Sequence, residues 1–234
     1  MPVRVMARHE VRRLAEAGAQ LVEVLPREEY EDMHLPGAVH LWLRDLDREA
    51  ARRLDRARPV VVYCWDWMCD MSPRAAARLE QLGFREVYDY VPGKADWLAA
   101  GWPAEGRSAA ALSAGDVAQR EVLTCRADQP VDGVLARMRD AGQTVCVVVD
   151  DERVVTGLLR RRTAEAHVVA TVAEVMRPGP ATVRAHEPLG PLLERMAKAR
   201  VETIVVTDPE GRLLGLVDRT SGEQAVKAGH TVAA

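Results

Sequence analysis

Short apolar runs alternate with stretches of helical period along the first part of the chain. Pro59-Val60-Val61-Val62-Tyr63-Cys64 is a β-rich run with no polar side chain until its end, the pattern of a strand buried on both faces. Leu21 to Leu25, Ala38 to Leu41 and Arg85 to Tyr88 read as further strands. Helices are expected over Arg27 to Met33, Arg48 to Leu54, Ser72 to Gly83 and Lys94 to Ala100. For the third of these, Ser72 is placed as N-cap, Pro73 as the first helical residue and Gly83 as the stop. Strand–helix alternation implies an α/β domain with a mainly parallel sheet, whose active groups sit at the carboxyl ends of strands. Cys64 stands at such an end.

From Pro103 to about Ala118 the residues become small and polar, and a linker is expected there. Beyond it the sequence repeats with an offset of 58 residues, and 15 of the 40 positions from 124 to 163 are identical to their counterparts. Each copy carries a helix (Val131 to Ala141; Leu189 to Ala199) and a β-rich run (Val145 to Val149; Thr203 to Val206). An acidic turn, a second strand ending near Gly157 or Gly215, and another helix follow. One copy buries too little surface to stand alone, so the two are expected to pack as a pair. The resulting division is a domain over residues 1–106, a linker over 107–118 and a paired repeat over 119–234.

Charge narrows the partners. The net charge of −3 over 234 residues is spread over both halves, and neither offers a basic face for nucleic acid. No stretch approaches the roughly 18 apolar residues of a membrane span and the amino terminus has no leader pattern, so a cytoplasmic location without membrane contact is expected. Four cysteines, with Cys125 and Cys146 isolated in sequence, make no disulfide framework. The six histidines show no ligand spacing, and no metal is expected.

Cys64 is the candidate nucleophile. A thiol between a strand end and a helix amino terminus meets unpaired N–H groups and the positive end of a dipole, which favour a thiolate. The loop after it reads Trp65-Asp66-Trp67-Met68-Cys69-Asp70-Met71 and leads into Ser72. Cys69 fills space in the loop or serves as a second, resolving thiol. Trp65 and Trp67 are expected to pack as a hydrophobic lid. Asp66 and Asp70 cap the turn and the helix, and their charge raises the thiol pKa and repels anions.

These residues carry a resemblance. Leu21-Val22-Glu23-Val24, Glu28-Glu29-Tyr30 with His34-Leu35-Pro36-Gly37-Ala38, Val61-Val62-Tyr63-Cys64, and Gly93, Trp97, Gly101 and Pro103 together resemble the rhodanese-like superfamily from about Val3 to Gly106. The resemblance implies a sulfane sulfur carried as a persulfide on Cys64, or a silent binding module, and a structural hydrogen-bonding role for His34. The chain departs from the family's loop. The interval from cysteine to serine is two residues longer than usual, Trp67 replaces a glycine, and Cys69 replaces the arginine that would grip an anion. Glu23 and Leu25 stand where the family often has Asp and Arg.

The repeat, over about Val117 to Ala225, resembles a tandem pair of CBS domains through Thr124 and Thr182, Pro130 and Pro188, Met138 and Met196, and Gly157-Leu158-Leu159 with Gly215-Leu216-Val217. The resemblance implies a cleft for an adenosine nucleotide, lined by Thr124, Arg160 and Thr163 of the first copy and Thr182, Asp218 and Ser221 of the second, although neither copy keeps the family's phosphate and ribose signature. Arg160 to Arg162 form either a solvated helix start or a phosphate contact. A homodimer through helices 131–141 and 189–199 is also implied. The expected function is a sulfurtransferase-like protein carrying sulfur on Cys64, passed to a small-molecule or protein thiol, with a CBS regulatory module and no required cofactor. The alternative is a degenerate rhodanese-like and CBS protein that senses a small ligand.

Overall fold

A computed structural model describes residues 4–232, with side chains as far as residue 228. The outermost residues of the expected domains, 1–3 and 233–234, lie outside the described residues. The chain forms two compact units, one from Leu98 and before together with Trp102–Ala111, the other from Leu112 onward with Ala99–Gly101.

The first unit contains β1 (Arg4–Val5), α1 (Arg8–Glu16), β2 (Gln20–Glu23), α2 (Arg27–Asp32), β3 (Val39–His40), α3 (Leu46–Arg53), β4 (Val60–Tyr63), α4 (Met71–Gln81), β5 (Val87–Tyr90) and α5 (Gly93–Ala99). Its strands form one sheet in the order β1-β5-β4-β2-β3, and every pairing is parallel. β4 lies at the centre because all four of its residues are buried, as a strand covered on both faces requires. Side chains alternate across it. Val60, Val62 and Cys64 enter a core with Leu46, Ala50, Ala75, Ala76 and Leu79, which brings α3 and α4 onto one face. Val61 and Tyr63 enter the other with Val11, Trp97 and Leu98, which brings α1 and α5 onto the opposite face. α1 and β1 have no counterpart among the expected elements. The polar face of α1 leaves Val11 as its fully buried apolar residue, so the apolar period is faint.

The second unit holds α6 (Ala114–Val117), β6 (Thr124–Cys125), α7 (Val131–Asp140), β7 (Val145–Val149), β8 (Val155–Arg160), α8 (Arg161–Ala166), α9 (Val172–Val175) and β9 (Arg177–Pro178). The second copy adds β10 (Thr182–Arg184), α10 (Leu189–Lys198), β11 (Thr203–Thr207), β12 (Leu213–Asp218) and α11 (Arg219–Val232). β6 pairs parallel with β7 and β7 antiparallel with β8; β10, β11 and β12 repeat that arrangement. Even the irregularity in the ladder recurs, between Val148 and Val149 and between Val206 and Thr207. A shared core of Val145, Val147, Val149 and Leu158 with Val205, Leu213 and Leu216 packs the copies together.

Four expectations change here. The second strand of each copy runs on past its glycine to Arg160 and Asp218. Part of the expected linker is helix α6, whose Ala114 is fully buried against Leu189 and Leu192, because Ser113 and Asp116 cap it and small residues allow close packing. Cys125 and Cys146, isolated in sequence, lie on neighbouring strands with their thiols in hydrogen-bond contact. The apolar residues of α7 and α10 that suggested a dimer face are buried inside their own unit, Val134, Leu135 and Met138 in one core and Leu192, Leu193 and Met196 in another.

Candidate functional site

Cys64 directly follows β4 and has no exposed surface. Its carbonyl accepts the Lys94 N–H at 2.9 Å and the Trp65 carbonyl accepts the Ala95 N–H at 2.8 Å, so the strand end caps the first turn of α5. Gly93 makes this approach possible. It has φ +64, and a Cβ there would lie 2.6 Å from the Cys64 carbonyl oxygen.

The loop folds over the thiol. Asp66 accepts the Met68 N–H on its side chain at 2.9 Å and the Cys69 N–H on its carbonyl at 3.1 Å, closing a tight turn. Three acceptors lie within reach of the single Cys64 S–H, the carbonyl of Cys69 at 3.4 Å, that of Asp66 at 3.8 Å and Ser72 Oγ at 3.4 Å. The Cys69 thiol is also in hydrogen-bond contact with Cys64. The Cys64 thiol is not held as the expected thiolate: burial, and next the bond with Cys69, push Cys64 up to about 12, against the pull of the Ser72 hydroxyl and N–H. The helix terminus is outweighed because water cannot reach the sulfur.

The other loop residues divide. Asp66 caps its turn, but Asp70, the N-cap of α4, makes no side-chain cap bond and instead accepts from Arg74 at 3.3 Å. Helix α4 begins at Met71, two residues before the expected Pro73, with Ser72 inside the first turn rather than capping it; the Ser72 hydroxyl is turned to the thiol and the residue is fully buried. The expected lid is not formed as such. Trp67 and Met68 are 73% and 75% exposed, and Trp65 is half exposed with Lys94 Nζ 5.1 Å from its ring centre.

Three buried ionic residues near the strand ends were not expected as site groups. Asp89 of β5 lies on the Cys64 face, is hydrogen-bonded by Ser72, and is raised by burial against that bond. Glu23 and Lys94 pair at 2.9 Å on the opposite face, both without exposed side-chain surface. Burial raises Glu23, with the Lys94 charge next and opposing. The departure of Glu23 from its family's usual Asp was the signal for this pair. His34 is structural as expected, with Nδ1 bonded to the Tyr30 carbonyl at 2.7 Å and its ring stacked on Tyr30.

In the second unit, Asp218 Oδ1 accepts the N–H and hydroxyl of Ser221 at 2.9 and 3.0 Å, so the pair caps α11. Arg160 is exposed at the end of β8, and Thr163 lies on α8, where its carbonyl receives His167 Nδ1. Thr124 and Thr182 open the first strands of their copies. Among the described residues no group of three or more His, Cys, Asp or Glu is arranged to hold a metal, and no helix is long and apolar enough to cross a membrane.

Comparison with known proteins follows this division. The rhodanese-like domain model matches residues 7–100, and the CBS domain model matches 114–164 and 172–221. The chain is 36% identical over 105 residues to the HTH-type transcriptional regulator Rv0324 of Mycobacterium tuberculosis, covering 44% of this chain and 46% of that protein, so it spans about half the length of this relative. It is 33% identical over 79 residues to the thiosulfate sulfurtransferase GlpE of Coxiella burnetii, covering 34% of this chain and 71% of the enzyme. Among solved structures, CBSX2 in complex with AMP superposes with a TM-score of 0.46 at 19% identity, over 50% of this chain and 96% of that one. The chain belongs to the rhodanese-like family, with its rhodanese-like domain followed by a tandem pair of CBS domains.

Proposed function

We propose that Cys64 carries a sulfane sulfur and that Cys69 is the second thiol of the reaction. The observation that supports this reading is the contact of the two thiols across a loop at the end of β4. A Cys64 thiolate attacks the outer sulfur of a persulfide, the new S–S bond forms, and the donor leaves as its thiolate. An acceptor thiolate then takes that outer sulfur and Cys64 leaves. Alternatively Cys69 attacks Cys64 Sγ, the two close as a disulfide, and hydrosulfide departs. With cysteine at 69 and no arginine fork, a neutral or thiol-bound sulfur suits the loop better than thiosulfate.

Intact mass measured after incubation with cysteine persulfide, polysulfide or thiosulfate tests this. A gain of about 32 Da that persists in Cys69→Ser and is lost in Cys64→Ser is the expected result. No adduct with any donor overturns the reading.

A second reading concerns the paired CBS copies, which the shared core supports as one unit. In this reading the unit takes an adenosine nucleotide, with Arg160 as its phosphate contact, since Asp218 and Ser221 are engaged with each other. Binding to the folded state raises the melting temperature by mass action, and the rise disappears in Arg160→Ala. No shift with any adenosine nucleotide or S-adenosyl compound overturns it.

A further inference from the structure

Asp89 is the third residue of β5, only 1% exposed, and its Oδ1 has no hydrogen-bond partner among the described residues. It lies beside Val62 in the sheet, and alternation puts it on the same face as Val62 and Cys64. A buried carboxylate left partly unsatisfied is costly, and the group that supports its charge is Ser72. The same Ser72 oxygen is 3.4 Å from Cys64 Sγ. Ser72 is thus shared between a carboxylate and a thiol.

A serine hydroxyl has one hydrogen to give and two lone pairs to receive. While Asp89 is charged, that hydrogen is committed to the carboxylate, because the charge-assisted bond is the stronger. Ser72 then only accepts, and Cys64 must be the donor, which means a protonated thiol. Once Asp89 is neutral the hydroxyl is free to turn and donate to a thiolate. Other polar groups nearby are otherwise occupied: Asp66 binds the Met68 N–H, Asp70 pairs with Arg74, and the Cys69 thiol contacts Cys64 itself. Tyr88 and Tyr90 of β5 belong to the opposite face.

We propose that Asp89 is a positioning residue that acts through Ser72 to decide whether Cys64 is held as thiol or released as thiolate. The inference rests on the reading of Cys64 as the reacting group.

The test is the rate of iodoacetamide alkylation at Cys64, read by peptide mass on the full chain from about pH 5 to pH 9. Wild type is compared with Asp89→Asn, Ser72→Ala and the double variant. Asp89→Asn is expected to alkylate about tenfold faster at pH 8, the equivalent of one pKa unit, and the gain is expected to shrink as pH falls, because burial raises the wild-type Asp89 carboxyl. Ser72→Ala is expected to abolish the gain in the double variant. A gain that survives in the double variant marks a merely loosened loop and overturns the proposal, as does an unchanged or slower rate in Asp89→Asn. Coupling without sulfur uptake on Cys64 removes the proposed function and leaves this inference standing; uptake without coupling does the reverse.

Discussion

Tyr63 and Cys64 are adjacent in the chain and serve two polar clusters of opposite character. On the Tyr63 face, Lys94 Nζ spends all three of its donors, on Glu23 Oε1 at 2.9 Å, the Glu29 carbonyl at 2.9 Å and the Met33 carbonyl at 2.6 Å. The Tyr63 hydroxyl is bound as well, receiving the Leu35 N–H at 3.1 Å while hydrogen-bonding Glu23. Each cluster leaves one carboxylate oxygen without a partner among the described residues, Glu23 Oε2 in the first and Asp89 Oδ1 in the second, but on the Cys64 face the contacts are long and the donor is a weak S–H. The first cluster is a fixed anchor that ties β2, α2 and α5 together. The second has slack in its hydrogen bonds, which is what a group that must change its protonation and covalent state requires.

The sharpest way to break this comparison is to remove the anchor. Lys94→Met strands the Glu23 carboxyl without a counter-charge in a fully buried site, and losing one partner of a buried pair costs about 3–5 kcal/mol. All five tryptophans, Trp42, Trp65, Trp67, Trp97 and Trp102, belong to the first unit, so their fluorescence follows its unfolding. Urea titration should show a large fall in midpoint, and adding Glu23→Gln should recover part of it. A loss below about 1 kcal/mol would put Lys94 on a par with a surface ion pair and dissolve the contrast.

A smaller effect comes from the pH dependence of the other cluster. The Cys64 thiol is raised in the folded chain from 9.0 to about 12, so the neutral form is the one the fold favours. That contribution is fully present below about pH 9 and is lost as pH rises from there toward 12, by at most about 1.4 kcal/mol per pH unit. Tyr63 titrates high as well, but it remains in the comparison variant and cancels. Wild type should therefore lose more stability than Cys64→Ser between about pH 9 and pH 11. Equal losses would mean that the thiol is not held neutral by its surroundings.

How much of this was legible in the sequence follows from the range of the interactions. β4 was readable from four β-formers in a row, and α5 from its local pattern, because strand and helix periods are set by near neighbours. The repeat offset carried the paired copies, while the ladder irregularity that recurs at the same offset has no sign in the sequence. The strand end that carries Cys64 is legible in the sequence, but the neutral state of its thiol is not, since the folding of the loop over it depends on contacts from Asp66, Cys69 and Ser72 together. Asp89 and Lys94 escaped notice for the same reason. Each sits in an ordinary strand or helix segment, and its partners lie 17 and 71 residues away in sequence, at Ser72 and Glu23.

The least effect is expected where the sequence suggested a lid. Trp67 reads as a large apolar side chain next to the reactive cysteine, yet it is 73% exposed and removes little surface from water. Trp67→Ser should change the urea midpoint by no more than about 0.5 kcal/mol, the range of surface substitutions. Trp65, half exposed and stacked near Lys94, should cost more when cut to alanine, because its ring touches the anchor. If instead Trp67→Ser destabilises the unit by more than Trp65→Ala, the loop closes over Cys64 in solution and the exposed ring is part of the cover. The two clusters would then differ in how tightly they are shielded as well as in how strong their hydrogen bonds are.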